Sequence, residues 1–340
     1  MREELTKRRQ AILAMVVREY IGTARPVASK TLVKRYKMNV SPATVRNEMA
    51  CLEEQGYLTH LYTSAGRVPT EKGYRYFVER LMQEVELPLS EKRKIRHQFH
   101  QIHMELDQWM ELAAAVLAQA ARCTSMVAAP CTPYCRFKHL ELISIQGTMV
   151  LLILVLQGGV VRQQMLSLTY PLSQDELTRI SNRLNSLFAS LGTNQIADRL
   201  PSLTPSERKI GEQVASIMQE AERGGEIYRD GLVNTLRQPE FAQVENVRHF
   251  IAILEHGGSL EKILAEAAVG PGEVQVIIGG EGRWEELASY SIVLSRYGMI
   301  DRAVGALGVL GPLRMPYRRA ISAVRYVSEL LSDMMSELYG

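Results

Sequence analysis

Residues 40–70 contain the start and stop signals of a short helix, followed at once by a hairpin with a basic tip. Ser41 is a favoured N-cap residue, and Pro42 suits the first helical position. Gly56 is a typical helix end, and the turn-forming segment T-S-A-G-R follows at 63–67. A short helix followed by such a hairpin is the order of elements in a winged helix-turn-helix, a fold that binds duplex DNA.

The predicted helix has an apolar side and a small, mainly uncharged side. The apolar positions recur at helical spacing and are Val45, Met49 and Leu52. The opposite side consists of Ala43, Asn47 and Ala50, flanked by Thr44 and Arg46. Because its central residues are small, this side can approach base edges closely, and we expect it to enter the major groove.

Two basic helices are predicted before this one. Apolar residues fall on one side of residues 3–21. Residues 28–36 combine packing residues with Lys30, Lys34 and Arg35, which are predicted to contact phosphates. Residues 1–80 contain 15 Lys and Arg against 8 Asp and Glu, a net charge of +7, whereas the remaining residues contain 25 against 29, a net charge of −4. A basic segment on a mildly acidic body indicates binding to a phosphate backbone.

Base contacts are predicted for Arg46 and Asn47, because Arg pairs bidentately with guanine and Asn with adenine. A phosphate contact, or simple exposure on the helix surface, is the alternative for each. Ser41 and Thr44 are predicted to contact phosphates, and Ser41 can alternatively act only as the cap.

Four further residues complete the predicted DNA-binding set. Lys30 lies on the second predicted helix, Ala43 on the small side of the third, and Ser64 in the hairpin tip. Arg67 closes the tip, and we expect it either to enter a narrow minor groove or to contact a phosphate.

Length and composition predict two or three domains with substantial cores, because the chain has 340 residues and a hydrophobic content of 46%. The N-terminus has no apolar signal region, and no apolar run approaches the roughly 18 residues of a membrane span. The sequence therefore predicts a cytoplasmic protein without membrane contact. Four cysteines fit reduced thiols and do not indicate a disulfide framework.

No catalytic, cofactor or metal site is predicted, since arrangements such as H-E-x-x-H and G-x-S-x-G are missing from the sequence. Cys123, Cys131, Cys135 and His139 have a C-x7-C-x3-C-x3-H spacing that matches no compact zinc site, and we expect small buried or loop residues there. The run Gly279–Gly282 could bind an anion, but it lacks the rest of a phosphate-binding motif, so a plain turn is expected.

A break at residues 84–89, which contain Pro88, is the first predicted domain boundary. Beyond it, apolar positions in steps of four and three predict one long helix from Ile95 to Ala120. Such a helix can pair two subunits as a coiled coil, or it can pack on its own domain.

Strand patterns then occupy two separate stretches of the chain, on either side of a mostly helical block at 172–268. The predicted strands are 125–129, 140–145, 149–156, 160–168, 274–278, 289–296 and 303–310, and a final helix is predicted at 317–339. The second to fourth are expected to form an antiparallel meander, in which the apolar strand 149–156 is central and covered on both faces. Strands on both sides of a helical block indicate one sheet interrupted by an insertion, within an α+β fold.

Several segments together resemble the heat-inducible transcription repressor family, whose members regulate bacterial chaperonin and DnaK operons. The likeness lies in R-P-V-A-S-K-T-L-V-K-R-Y, V-S-P-A-T-V-R-N-E-M, L-E-E-Q-G-Y-L and T-S-A-G-R-V-P-T-E-K-G-Y-R, and in G-A-L-G-V-L-G-P-L-R-M-P-Y at 305–317. The chain departs from the family pattern at Leu61 and Tyr62, where Pro-His is usual, and at Cys51, where an acidic residue is commoner.

The resemblance implies three domains: a winged helix-turn-helix at 1–84, a GAF-like antiparallel sheet domain at 90–171 and 269–340, and an inserted, mainly helical dimerisation domain at 172–268. It also implies a homodimer without enzymatic activity that binds double-stranded operator DNA at an inverted repeat and represses class I heat-shock operons. A GroEL-type chaperonin would keep such a repressor active. The alternative is a winged-helix repressor controlled by a small ligand in the GAF-like domain.

Overall fold

The computed structural model describes residues 5–60, 66–83, 85–101, 106–131, 135–157, 161–223, 226–255, 258–266, 269–299 and 303–339. Helices and antiparallel strands alternate in blocks, so the predicted α+β class is confirmed. Contacts divide the chain into two compact units. The first unit comprises Met1–Val127, Ile227–Arg296 and Ala306–Leu330, and the second comprises Ala128–Glu226, Tyr297–Gly305 and Leu331–Gly340. Among the described helices, none has both the length and the apolar character needed to cross a membrane.

The first unit begins with three helices, a hairpin and a further helix, in the predicted order. These elements are α1 (Lys7–Thr23), α2 (Ser29–Arg35), α3 (Pro42–Glu54), β1 (Leu58–His60), β2 (Arg67–Pro69) and α4 (Glu71–Tyr76), which continues as a π-helical turn at Phe77–Leu81. The hairpin is antiparallel, with Leu58 opposite Pro69 and His60 opposite Arg67. Residues 61–65, which include the predicted tip residue Ser64, lie outside the described residues.

The first three helices pack through the apolar stripes that their sequences predict. On α3, Val45, Met49 and Leu52 are buried, and on α1 Ile12 and Val16 are buried as well. Each such side chain contributes about 2 kcal/mol when it leaves water. This packing sets the rotation of α3 about its axis, so its polar side faces outward.

The remaining elements follow a link at residues 82–88. They are α5 (Leu89–His100), α6 (Leu106–Ala121), β3 (Thr124–Cys131), β4 (Phe137–Gln146), β5 (Met149–Leu156), β6 (Val161–Ser167), α7 (Gln174–Phe188), α8 (Thr193–Arg199), α9 (Pro205–Arg223), β7 (Ile227–Asp230), α10 (Leu232–Leu236), α11 (Val244–Glu255), α12 (Gly258–Ala265), β8 (Val274–Ile278), β9 (Tyr290–Met299), β10 (Ala303–Pro312) and α13 (Tyr317–Tyr339). The predicted limits of β5, β8 and α13 agree with these.

The long helix predicted between Ile95 and Ala120 is wrong, because the structure has two helices there, α5 and α6. The first ends at His100, and residues 102–105 lie outside the described part of the chain. The predicted apolar seam is nevertheless buried inside the unit, as Phe99 and Val116 show. Burial within one chain favours packing on the helices' own domain over the coiled-coil alternative.

Five strands form one sheet, with the strand order β7-β3-β10-β9-β8. The strands β8 and β9 pair antiparallel, with Val276 opposite Val293. Among the described strands, β3 joins the late ones, whereas β4, β5 and β6 form a separate three-stranded sheet. The prediction that all these strands share one sheet is therefore wrong.

The second unit contains the predicted antiparallel meander β4-β5-β6 and the helices α7 to α9. Its core joins one face of the meander to apolar residues of the helices, and includes Phe137, Leu152, Leu154, Leu184, Phe188, Ile210 and Val214. Along β5 only every second side chain is buried. The predicted coverage of both faces is therefore wrong: antiparallel hairpin strands commonly pack on one face only, and here the helices cover one face.

The limits of the second unit differ from those predicted for an inserted domain. The prediction was 172–268, whereas the second unit comprises Ala128–Glu226, Tyr297–Gly305 and Leu331–Gly340. The meander strands share a core with α7 to α9 and therefore belong with those helices. The helices α10 to α12, which the prediction assigned to the insertion, belong to the first unit.

Candidate nucleic-acid interface

The N-terminus of α3 is capped by Ser41, as its sequence predicts. The Ser41 hydroxyl accepts a hydrogen bond from the Thr44 backbone N–H at 3.1 Å, and the two hydroxyl oxygens lie 2.9 Å apart. Pro42 occupies the first turn, where its missing N–H leaves no donor unpaired. These contacts set where α3 begins, and they place both hydroxyls at the helix end that helix-turn-helix proteins direct at DNA.

The outward side of α3 is exposed at Ala43, Arg46 and Asn47. Among the described residues, neither Arg46 nor Asn47 has a hydrogen-bond or ion-pair partner, so both side chains are available to a ligand. A guanidinium and a carboxamide one residue apart, next to a methyl side chain, can reach guanine and adenine edges. The base-contact and phosphate-contact predictions for these residues stay predictions.

Three ion pairs to two carboxylates connect α1 with α2 and α3. Arg9 of α1 donates to Glu48 of α3 at 2.9 Å, with Arg8 at 3.6 Å from the same carboxylate. Arg35 of α2 donates at 2.9 Å to Glu19 of α1, whose side chain is only 6% exposed. Arg35, which the sequence suggested for phosphates, is thus partly neutralised within the protein.

Lys30 is exposed on α2, and Lys34 on the same helix is exposed as well. The phosphate contact of Lys30 stays a prediction. The helices α2 and α3 pack against each other. Their exposed cationic and polar side chains therefore belong to one continuous part of the first unit.

Arg67 lies at the start of β2 and is held against α3. Its guanidinium reaches the Glu53 carboxylate at 2.8 Å, and its backbone N–H and C=O each bond Val27 at 2.9 Å. His60, directly opposite on β1, contacts the same carboxylate through Nδ1. The pKa of Glu53 lies below its ordinary value of 4.5, mainly because the carboxylate is hydrogen-bonded to His60 and also because the Arg67 guanidinium is close. The hairpin base is therefore anchored to α3, and the minor-groove and phosphate roles of Arg67 stay predictions.

The acidic partners Glu19, Glu48 and Glu53 were not anticipated from the sequence. Glu53 precedes Arg67 by 14 residues, and Glu48 follows Arg9 by 39. No local periodicity connects residues so far apart in the chain. The only available signal was a set of acidic residues inside a basic segment.

Of the four residues weighed as zinc ligands, Cys123, Cys135 and His139 do not form a metal site, and the side chain of Cys131 lies outside the described part of the chain. The described residues contain no group of three or more His, Cys, Asp or Glu that could hold a metal ion. Cys123 is buried, and desolvation raises the pKa of its thiol to about 12, which opposes the thiolate that zinc requires. Cys135 is also buried, whereas His139 is exposed and lies 3.4 Å from Glu141.

Comparison with known proteins identifies the family. Residues 107–321 match the family model described as the HrcA protein C-terminal domain. The heat-inducible transcription repressor HrcA of Roseiflexus castenholzii (strain DSM 13941 / HLO8) is 50% identical, over 100% of this chain and 97% of the relative. The protein of the same name from Thermomicrobium roseum (strain ATCC 27502 / DSM 5159 / P-2) is 42% identical, over 99% of this chain and 97% of the relative.

A solved structure shares the fold. The crystal structure of a hypothetical protein at 2.2 Å resolution superposes with a TM-score of 0.62 at 21% identity, and the match covers 98% of this chain and 99% of that chain. On the full-length identity to curated relatives and the family-model match, the chain belongs to the HrcA family of heat-inducible transcription repressors.

Proposed function

We propose that this chain represses class I heat-shock operons of the GroE and DnaK type by binding an inverted-repeat operator. Residues 5–83 act in this proposal as a winged helix-turn-helix, with α3 in the major groove of one half-site. The observation that carries the proposal is the capped α3, which exposes Arg46 and Asn47 beside Ala43 while its opposite side is buried. Repression follows because the bound protein occupies DNA that transcription needs.

A homodimer is the proposed binding form, and the open face of the meander supports it. Ile143, Met149, Val161 and Met165 are large apolar side chains with 37–48% exposure. Ile143 of β4 lies opposite Leu151, and Leu151 opposite Met165 of β6, so the apolar surface crosses all three strands. An extended apolar face of this kind is typical of a protein interface, and we propose a second copy of the chain as its partner. The dimer then holds two half-sites at once.

Dependence on a GroEL-type chaperonin is supported by how this fold must form. The strands β3 (Thr124–Cys131) and β10 (Ala303–Pro312) are neighbours in the sheet but are far apart in the sequence. Such long-range pairing is slow and leaves apolar strands unpaired meanwhile. The strand β5 is apolar at all eight positions, a composition that aggregates when exposed. Heat would divert the chaperonin to unfolded proteins, and repression would end.

Footprinting and gel shifts with the full chain test the proposal. The DNA is the region upstream of the chaperonin operon in the source genome, with a matched copy in which one half-site is scrambled. We expect protection of both half-sites, and an affinity at least about 100-fold lower for the scrambled copy because bivalent binding is lost. Equal binding to both DNAs would contradict the proposal.

A heat pulse followed by a second gel shift tests the regulation. The protein is first stripped of bound small molecules. Recovery of operator binding should then require chaperonin and ATP and no metabolite. Recovery that depends on a metabolite and ignores chaperonin would support the ligand-controlled alternative instead.

A further inference from the structure

Arg314, in the turn between β10 and α13, joins the N-terminal segment (residues 5–83) to the body (the rest of the first unit). Its guanidinium donates to the backbone carbonyl of Ile21 in the last turn of α1 at 3.0 Å. It also forms a two-point contact with the Glu240 carboxylate, with Nη2 to Oε2 at 2.9 Å. The Arg314 side chain is only 12% exposed. An arginine fork is well suited to this task, because it satisfies a helix-end carbonyl and a carboxylate in one geometry.

A second connection lies on α4. Arg75 of this helix donates to Glu281 at 2.8 Å. One turn earlier, the Glu71 carboxylate rests against Gly279, where a Cβ atom would lie 2.2 Å from the carboxyl carbon. The glycine-rich turn that the sequence suggested for an anion is therefore in contact with a carboxylate of the same chain. Its glycines allow this close approach, and Gly279 has a φ of +63°.

Tyrosine packing completes the junction. The buried rings of Tyr74 on α4 and Tyr317 on α13 lie 5.9 Å apart. The Tyr317 hydroxyl lies 2.8 Å from Ser291 and donates to the Leu313 carbonyl at 2.6 Å. The Tyr74 hydroxyl is buried without a partner among the described residues. An unpaired buried hydroxyl costs free energy, so this junction is not optimised for tightness alone.

The covalent link alone does not fix the orientation of the N-terminal segment. Residues 82–88, apart from residue 84, are described and form neither helix nor strand. Orientation must come from side-chain contacts, which include the Tyr74–Tyr317 packing and the approach of Glu71 to Gly279. The polar contacts of Arg314 and Arg75 are the directional ones among them, and we call these two the attachment contacts. These contacts leave Ala43, Arg46 and Asn47 of α3 exposed, so they are compatible with DNA binding.

We propose that the attachment contacts fix the orientation of the N-terminal segment and thereby determine which spacing between operator half-sites the dimer binds. The inference rests on the proposed function, since it requires a dimer that holds two half-sites. A dimer can select one spacing only if each DNA-binding segment keeps its orientation on its own body. Arg314 and Arg75 act through that orientation, so they are positioning residues that make no DNA contact themselves.

Charge reversals in the full chain test the proposal. Arg75→Glu and Glu281→Arg each break one partly exposed contact, and the double variant restores it with the charges exchanged. Arg314→Gln removes the more buried contact. The matched control is Arg80→Glu, because Arg80 is exposed and has no ion-pair partner among the described residues. Binding is measured to a single half-site duplex, to the native operator, and to operators with one, two or five base pairs inserted between the half-sites.

We expect Arg75→Glu, Glu281→Arg and Arg314→Gln to keep the affinity for a single half-site within about twofold. Their affinity for the native operator should fall about tenfold or more, because bivalent binding is weakened. The control Arg80→Glu should keep both affinities. The first three variants should discriminate little between spacer lengths, and the double variant should regain the native preference. A Glu-specific protease should cut the link at Glu86 faster in the single variants than in the control.

Two results would overturn the inference: unchanged spacer preference in Arg75→Glu and Arg314→Gln, or unchanged cleavage of the link in both. If half-site affinity falls together with operator affinity, the residues contribute to DNA binding or folding, and positioning is again refuted. A wild-type chain that binds no operator would refute the proposed function itself. Failure of the inference and failure of the proposed function are therefore distinguishable.

Discussion

Replacement of Arg46 or Asn47 by alanine should remove operator discrimination without destabilising the protein. Both side chains are exposed, and neither has a hydrogen-bond or ion-pair partner among the described residues. We therefore expect the free energy of unfolding to change by less than about 0.5 kcal/mol. A bidentate base contact contributes about 1–3 kcal/mol of discrimination, so operator affinity should fall by about 5- to 150-fold for each variant.

The comparison that decides the assignment is binding to random DNA at the same salt concentration. Arg46→Ala and Asn47→Ala should leave random-DNA affinity within about twofold, since phosphate contacts supply most of that binding. Lys30→Ala is the contrasting variant: it should weaken operator and random DNA alike and lower the slope of log K against log salt by about one. Equal losses on both DNAs for Arg46→Ala and Asn47→Ala would refute base recognition by α3.

Three further predictions concern stability and thiol reactivity. Ser41→Ala should lower the free energy of unfolding by about 1 kcal/mol in urea titrations, and Ser41→Asp should retain it, because both Ser and Asp cap α3. Glu53 has a lowered pKa, so its contacts stabilise the fold above pH 4.5 and are lost as the pH falls through the folded-state pKa. Glu53→Gln should therefore reduce stability at pH 7 and flatten the loss of stability on acidification, measured by thermal melting. Cys51, which is partly exposed, should alkylate before the buried Cys123 in peptide-level mass spectrometry.

Local signals predicted element limits well where caps and periodicity agree. The Ser41-Pro42 start of α3 is capped as expected, and β5 and α13 have the predicted bounds. Strand pairing was predicted correctly only where the turn is short, as in the meander. The partner of β3 could not be predicted, because β10 is distant in sequence and apolar periodicity carries no information about which strands meet. The break between α5 and α6 was missed for a related reason: the apolar spacing continues across it.

The exposed residues of the candidate site were predicted from the sequence, whereas the carboxylates that pair with its basic residues were not. The exposure of Ala43, Arg46 and Asn47 follows from the phase of a single helix, which sequence determines. Which basic side chains pair with Glu19 or Glu53 depends instead on the packing of separate elements. A tertiary contact of this kind has no signature in a single sequence.

These internal pairs change what the basic composition of the N-terminal segment means. Residues 1–80 carry 15 Lys and Arg, but the structure commits Arg9, Arg35 and Arg67 to carboxylates of the same segment. Arg75 is likewise directed to Glu281 of the body. Each cation that stays paired in the complex releases no counterion from DNA, whereas each phosphate that is neutralised contributes about −0.9 to the slope of log K against log salt. The salt dependence of each half-site should therefore report a few exposed cations such as Lys30 and Lys34, and a slope near the full count of basic residues would mean that DNA breaks these internal pairs.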